Sequence, residues 1–522
     1  MEEIASHRGT LGRLIIDAIA RFGDRPAFSD GTVHWTYREF GEEVGRYITL
    51  FRSLGLGKSN GILLLTNNRA EPWPAVCAAN LMGIRYTPLH PMAAEDDHVH
   101  VATDSEADLL IVDAANYGVR ARAIAERARN IRHVLSIGPL EGAVDLTVEL
   151  PTLSPSELVD EAEPEDIAWL SYTGGTTGLS KGVMLSHRCV TTYSVLVAAE
   201  WDWPEPLRYA IVTPLSHSAG IKAYPVMLRG GFSRFLPGFD AAQLCAAIQD
   251  EKLTATFLVP TLVNRLVEAR DIRQKYDLTS LQLIIYGAAP ISPDRLRIAI
   301  EELGPIFLQL FGQSEYPEAI TTLRKVDHDL SKPERLESCG RPLTFNEVRL
   351  LDSDGNEVAD GEPGEICVRG ALASSGYWRK PDLTEQLFAG GWVHTGDVAR
   401  RDKEGYLYIV DRIKDMIISG GFNIFPREVE DALMQHPAVS LAAVIGVPDQ
   451  DWGEAVKAVV QLREGAEVSS AELRAHVKAC RGAPWAPKMI DFVADIPLTS
   501  LGKIDRKALR SPHWQNRGRA VA

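Results

Sequence analysis

Cysteine is scarce in this chain of 522 residues. The six that occur, Cys77, Cys189, Cys245, Cys339, Cys367 and Cys480, show no Cys-x-x-Cys and no Cys/His ligand spacing. A disulfide framework and a thiolate-rich metal centre are thereby set aside. No neighbour marks any of the six as an activated nucleophile, so they are expected to be reduced structural thiols. Long apolar runs are also missing: no segment approaches the ~18 residues of a membrane span. The start, Met1-Glu2-Glu3-Ile4-Ala5, is acidic and has no apolar core of the kind a secretory leader carries. The protein is therefore expected in the cytoplasm. Nor is there an excess of positive charge. Lys and Arg total 55 against 70 Asp and Glu, a formal charge of −15, which disfavours a nucleic-acid partner. Internal repeats and low-complexity tracts are absent.

What is present is length and alternation. The chain exceeds the ~250 to 300 residues at which one core stops growing, and its 45% hydrophobic content supports more than one. From Leu11 to about Ile167, helical patterns such as Leu14 to Ala20 alternate with short apolar strands such as Gly61 to Leu65, which argues for α/β layers. The alternation continues through Ala210 to Thr213, Ala255 to Val259, Leu283 to Ile285 and Ile306 to Leu310. These read as parallel strands, and in open α/β sheets ligands bind outside the carboxyl ends of such strands. There stand Leu215-Ser216-His217-Ser218-Ala219-Gly220, Tyr286-Gly287-Ala288-Ala289-Pro290 and Phe311-Gly312-Gln313-Ser314-Glu315. The acidic stretch Asp160 to Asp166 reads as a solvated linker. From Glu347 strands and tight turns suggest a small β subdomain. After Asp411-Arg412 a compact α+β unit begins, with a helix opening at Pro426 and strands at Leu441 to Val447 and Glu454 to Leu462.

Between the apolar runs Ile167 to Leu170 and Val183 to Leu185 stands Ser171-Tyr172-Thr173-Gly174-Gly175-Thr176-Thr177-Gly178-Leu179-Ser180-Lys181-Gly182. Glycines let backbone N–H groups turn towards an anion, hydroxyls add short donors and the lysine adds charge, so the loop reads as a phosphate cradle. It is not the P-loop of nucleotide hydrolases, which needs glycine directly before its lysine, where Ser180 stands. The flanking runs predict a hairpin. From these residues alone, a surface turn rich in small side chains is the alternative.

Separated motifs, taken in order, resemble the superfamily of adenylate-forming enzymes: acyl-CoA and aryl-CoA synthetases, adenylation domains of peptide synthetases and beetle luciferases. The phosphate loop of that family resembles Thr173 to Lys181. Its substrate-side histidine motif matches Pro214 to Gly220, and its aromatic-Gly-x-Thr-Glu motif matches Phe311 to Glu315. Gly391-Trp392-Val393-His394-Thr395-Gly396-Asp397 is similar to its ribose segment, Asp411-Arg412-Ile413-Lys414-Asp415 to its hinge, and Pro497 to Ile504 to the segment with its catalytic lysine.

The resemblance implies a large N-terminal domain over 1–411, with two α/β layered subdomains and a small β subdomain. A hinge at 412–415 and a small mobile α+β C-terminal domain over 416–522 complete it. It implies that Thr173 and Glu315 hold Mg²⁺ and that Gly174, Gly175, Thr176, Thr177, Gly178 and Lys181 hold the β- and γ-phosphates of ATP. Gly287, Ala288 and Phe311 would frame the adenine, with Gly312, Gln313 and Ser314 beside them. Asp397 would accept the ribose hydroxyls next to Arg412. His217 would meet the carboxylate, Lys503 would bridge carboxylate and α-phosphate, Lys414 would be the hinge position, and Gly420 and Gly421 would line a pantetheine tunnel. Four positions depart from the family pattern: Ser180 for proline, Ser314 for threonine, Phe311 for tyrosine, and Phe422 where many acyl-CoA synthetases carry glutamate.

The implied reaction is ATP-dependent ligation of a carboxylic acid to CoA through an acyl-AMP, with pyrophosphate released. The partners are the acid, ATP and CoA, and a homodimer is compatible with this reading. Alternatives are an adenylating enzyme that loads an acyl-carrier protein and a luciferase-like oxidase, since fold does not fix chemistry. No aspartate stands between Ser218 and Tyr224 to meet an α-amine, which favours a fatty, aryl or polycyclic acid. Lys222, if it faces that acid, calls for a polar group along the acid's body.

Overall fold

The short apolar runs are strands, and the sheets they build are the layers the alternation predicts. A computed structural model describes residues 9–173, 179–420, 422–450, 452–498 and 504–514. One sheet has seven strands in the order Val144–Asp145, His133–Ile137, Leu109–Asp113, Gly61–Leu65, Arg85–Pro88, Ile167–Thr173 and Lys181–Ser186. Neighbours run parallel except in the last pair. Gly61–Leu65 and Leu109–Asp113 are buried along their whole length, because helices cover both faces of a parallel sheet, and that burial is why they are continuous apolar runs.

A second sheet of nine strands runs Arg341–Pro342, Tyr316–Leu323, Phe307–Gln313, Leu283–Gly287, Ala255–Leu258, Arg208–Ile211, Phe232–Phe235, Pro26–Ser29 and His34–Thr36. Its six central strands are parallel, so their carboxyl ends share one edge. The helices around it fill a core that includes Leu244, Ile248, Leu266, Leu296 and Phe307. Helix starts follow their caps: Thr36 and Glu39 form a reciprocal capping box at Tyr37–Ser53.

The chain forms two units, residues 1–347 with 369–393 and residues 348–368 with 394–522. Both large sheets belong to the first. The second carries most of a four-stranded sheet, Glu347–Leu351, Gly364–Arg369, Val393–Arg401 and Leu407–Arg412. It also carries a five-stranded sheet built on the antiparallel pair Val439–Asp449 and Gly453–Leu462. Helix Pro426–Met434 packs there through Val429, Ala432 and Leu433.

The stretch 160–166 is not the solvated linker its charge suggests. The Glu161 N–H donates to the Leu81 carbonyl at 2.7 Å, Ala162 is buried, and Glu161 and Asp166 pair with Arg52 at 2.6 Å and Lys58 at 3.0 Å. All six cysteines are free, five of them buried. No described helix is long and apolar enough to cross a membrane.

Two buried histidines make acid the weak point of the first unit. Burial pushes His187 down to about 4 and His328 down to about 4, so both stay neutral in the fold while an unfolded chain takes up protons below about 6.5. Each contribution is fully present above that value and is lost as pH falls towards 4, on the order of 3 kcal/mol apiece. Urea unfolding is expected to show clearly lower stability at pH 5 than at pH 7, with a shallower pH slope in His187→Gln and His328→Gln. Equal stability at the two pH values would contradict this.

Candidate active site

Thr173 and Lys181 face each other in register at the base of the antiparallel hairpin. His100 Nε2 donates to the Ser180 carbonyl at 2.9 Å and holds the outgoing limb. Gly174, Gly175, Thr176, Thr177 and Gly178, the tip of the expected cradle, lie outside the described residues. Lys181 Nζ sits 4.4 Å from the ring centroid of Tyr377, and the Tyr377 hydroxyl donates to Glu315 Oε1 at 2.6 Å. Burial, and then the Glu315 charge, push the phenol's pKa up, so it remains a donor. One side chain thus touches both the hairpin lysine and the carboxylate of the Phe311 to Glu315 motif. Tyr377 was missed from sequence. Backbone pairing brings it there: a bridge between Val183 and Tyr377, the Met184 N–H donated to Gly376 at 2.9 Å, the Trp378 N–H to Gly182 at 2.8 Å and the Ser374 N–H to Glu315 at 2.9 Å.

Phe311, Gly312 and Gln313 end the strand Phe307–Gln313, and Ser314 and Glu315 form the turn into Tyr316–Leu323. The turn is tight: a Cβ on Gly312 would lie 2.6 Å from the Glu318 backbone. On the neighbouring strand, Gly287 is the last residue and Ala288 follows at φ +64°, a left-handed conformation that costs a non-glycine residue about 1–3 kcal/mol and tends to cluster at functional sites.

Two strands along, Arg208–Ile211 leads to Thr213 and the His217 turn. Asn68 clamps that turn, donating from Nδ2 to the Thr213 carbonyl at 2.9 Å and accepting the Leu215 N–H at 3.0 Å. A side chain at Gly220 would meet the Leu215 carbonyl oxygen at 2.2 Å, so the chain can fold back only there with glycine. The His217 ring lies edge-on to His90 at 4.7 Å between centroids, with Nδ1 2.9 Å from Ser216 Oγ. Burial, then His98, lower the pKa of His90, which favours a neutral ring. Residues 287–288, 311–315 and 213–217 therefore line the same edge of one sheet, as their strand ends predict.

In the second unit, Asp397 pairs with Arg412 across adjacent strands, Arg412 Nε donating to Asp397 Oδ1 at 2.8 Å. Asp397 is 4% exposed. A second carboxylate that sequence reasoning missed fixes the turn before it: Glu365 accepts the Gly396 N–H on Oε1 at 2.8 Å and pairs with His394 Nδ1 through Oε2 at 2.7 Å. Lys414 lies in the single 3₁₀ turn Ile413–Asp415, its pKa lowered by burial and then by Arg412. Arg510 pairs with Asp415 at 3.4 Å. Gly420 adopts φ +57° beside Trp452. Phe422, one of the four departures from the family pattern, is 48% exposed and lies 6.4 Å from Trp485 between ring centroids. Gly421 and Lys503 lie outside the described residues.

The chain matches the AMP-binding enzyme family over residues 16–378 and the AMP-binding enzyme C-terminal domain over 428–503. It is 43% identical to the medium/long-chain-fatty-acid–CoA ligase of Mycobacterium tuberculosis over 98% of this chain and 91% of that protein. A feruloyl-CoA synthase of Amycolatopsis sp is 33% identical over 93% of this chain and 95% of its own length. Among solved structures, an amide bond synthetase from Marinactinospora thermotolerans superposes with a TM-score of 0.88 at 31% identity, covering 96% of this chain and 98% of that one. The chain belongs to the AMP-binding enzyme family, as an acyl-CoA synthetase that uses ATP to join a carboxylic acid to CoA through an acyl-AMP.

Proposed function

We propose that the acid is a medium- or long-chain fatty acid and that the motif residues carry the roles their positions suggest. The observation that carries the choice of acid is the state of Lys222, the one lysine or arginine between Thr213 and Tyr224. Its side chain is fully buried and paired with Glu318, so it offers no free charge to a second carboxylate or to a polar tail. An apolar body suits such a wall, in keeping with the fatty-acid ligase named among the relatives. The experiment is CoA-dependent pyrophosphate release across octanoate, dodecanoate, hexadecanoate and ferulate. The fatty acids are expected to lead, and a clear preference for ferulate would refute the assignment.

In this reading one carboxylate oxygen of the acid attacks the α-phosphorus of ATP and pyrophosphate leaves. The CoA thiol then attacks the acyl carbon, gives up its proton and expels AMP. Neither step needs a protein nucleophile, so the residues contribute position and charge. Lys181 meets the phosphates, His217 the carboxylate, and Asp397, oriented by Arg412 and the Glu365 clamp, the ribose. The Thr173 hydroxyl and Glu315 carboxylate are hard oxygen donors of the kind Mg²⁺ takes, and the ion would neutralise phosphate charge when bound. Tyr377 holds Glu315 in place. Removing a hydrogen bond to a charged group costs ~1.5–3 kcal/mol, so Tyr377→Phe is expected to raise the KM for ATP at least about tenfold with the acid KM within about twofold. Unchanged ATP KM would contradict this role.

A further inference from the structure

The ammonium of the buried Lys222–Glu318 pair has no donor to spare. Lys222 Nζ donates to the Ser218 carbonyl at 3.0 Å, to Ser218 Oγ at 2.7 Å and to Glu318 Oε2. An ammonium has three donors, and these are three acceptors. Phe257 lies 4.1 Å from Nζ by ring centroid and Trp201 5.8 Å. Glu318 Oε2 also accepts the Tyr193 hydroxyl at 2.9 Å. The polar tail that sequence alone would have Lys222 recognise therefore finds no donor left.

Stability is a weak reason for such a pair. Desolvating two charges costs several kcal/mol each, and an apolar pair of similar volume commonly serves a core as well or better. What an apolar pair cannot do is direct bonds. Here the bonds go to the residue after His217 at one end, and at the other to the strand that leaves the Glu315 turn, where Glu318 itself stands at φ +55°. Asn68 holds the near limb of the His217 turn, and Lys222 holds the far limb.

We propose that Lys222 and Glu318 are positioning residues that tie the His217 turn to the Glu315 strand, keeping the acid-binding side in register with the carboxylate across the sheet edge. This rests on His217 facing the acid.

The test compares Lys222→Met, Lys222→Met/Glu318→Leu, Ser218→Ala and His217→Ala, using the fatty acid that leads the substrate panel. Lys222→Met strands a buried carboxylate, so Tm falls and the acid KM rises. The double variant is expected to regain most of the Tm while its acid KM stays raised about tenfold or more. Its ATP KM, and its rate of thioester formation from supplied acyl-adenylate, should stay within about twofold. Recovery of the acid KM together with the Tm would reduce the pair to a packing element and overturn the proposal. Ser218→Ala strands no charge and is expected to raise the acid KM about threefold; an unchanged value there would likewise overturn it. His217→Ala separates the two claims: an unchanged acid KM in that variant removes the reading of His217 itself, whatever the pair does.

Discussion

Lys503→Ala is expected to lower acyl-adenylate formation by about 10²- to 10³-fold while leaving thioester formation from supplied acyl-adenylate within about threefold. The asymmetry follows from where charge develops. In the first step the acid carboxylate approaches an already anionic α-phosphate, and negative charge builds on the oxygens between them. A lysine bridging both groups is worth most there, and one such electrostatic contact commonly contributes ~3–4 kcal/mol. At about 1.36 kcal/mol per decade that is the stated loss. In the second step the α-phosphate only departs with AMP, and the bridge has little left to stabilise. Pyrophosphate release from acid and ATP measures the first step, and CoA consumption with purified acyl-adenylate the second. Equal losses in both would show that Lys503 supports the fold or general binding instead. Acylation of the same amine removes its charge and should mimic the alanine variant.

Lys414→Pro should have the opposite signature, with adenylation substantially intact and thioester formation down by orders of magnitude. The hinge implied by the family resemblance would serve a relay in which the C-terminal domain delivers Lys503 in the first step and then turns to present the Gly420–Gly421 face to CoA. Such a turn must be absorbed by a few backbone dihedrals. Lys414 sits in the single 3₁₀ turn that links the strand Leu407–Arg412 to the strand Ile417–Ser419, and a lysine there can change φ and ψ. A proline holds φ near −65° and restricts Ile413 as well. Quenched single turnovers with labelled ATP, with and without CoA, separate the two half-reactions. Survival of both would move the hinge elsewhere between Asp411 and Ser419, or remove the relay.

The layers were legible because their information is local. Gly61–Leu65 and Leu109–Asp113 announce themselves as buried strands by composition, and the carboxyl-end rule then puts His217, Gly287 and Phe311 along one edge. Asp397 and Arg412 likewise come from one hairpin, and their pairing follows from strand register. What stayed illegible acts across the chain. Tyr377 meets Lys181 and Glu315 from a turn with no periodicity of its own, Asn68 reaches the His217 turn from the other sheet, and Glu365 grips Gly396 from the strand alongside. Lys222 illustrates the limit most clearly. Sequence gives its charge and its nearness to His217, but whether an ammonium faces a ligand or a buried glutamate depends on a partner in a distant strand.

If Lys181 meets the phosphates and Glu315 their cation, as proposed, the hydroxyl of Tyr377 on Glu315 with Lys181 over the same ring would keep the ion and the triphosphate from being sensed separately. Any cation that draws Glu315 towards itself pulls on the ring against which Lys181 rests, and any phosphate that draws Lys181 away unloads the same ring. Such a link is a coupling free energy, and it must be reciprocal: the factor by which the cation tightens the triphosphate is the factor by which the triphosphate tightens the cation. Under that reading, loss of pyrophosphate would unload Lys181 and the Tyr377 ring together and so would weaken the hold of Glu315 on any ion it carried.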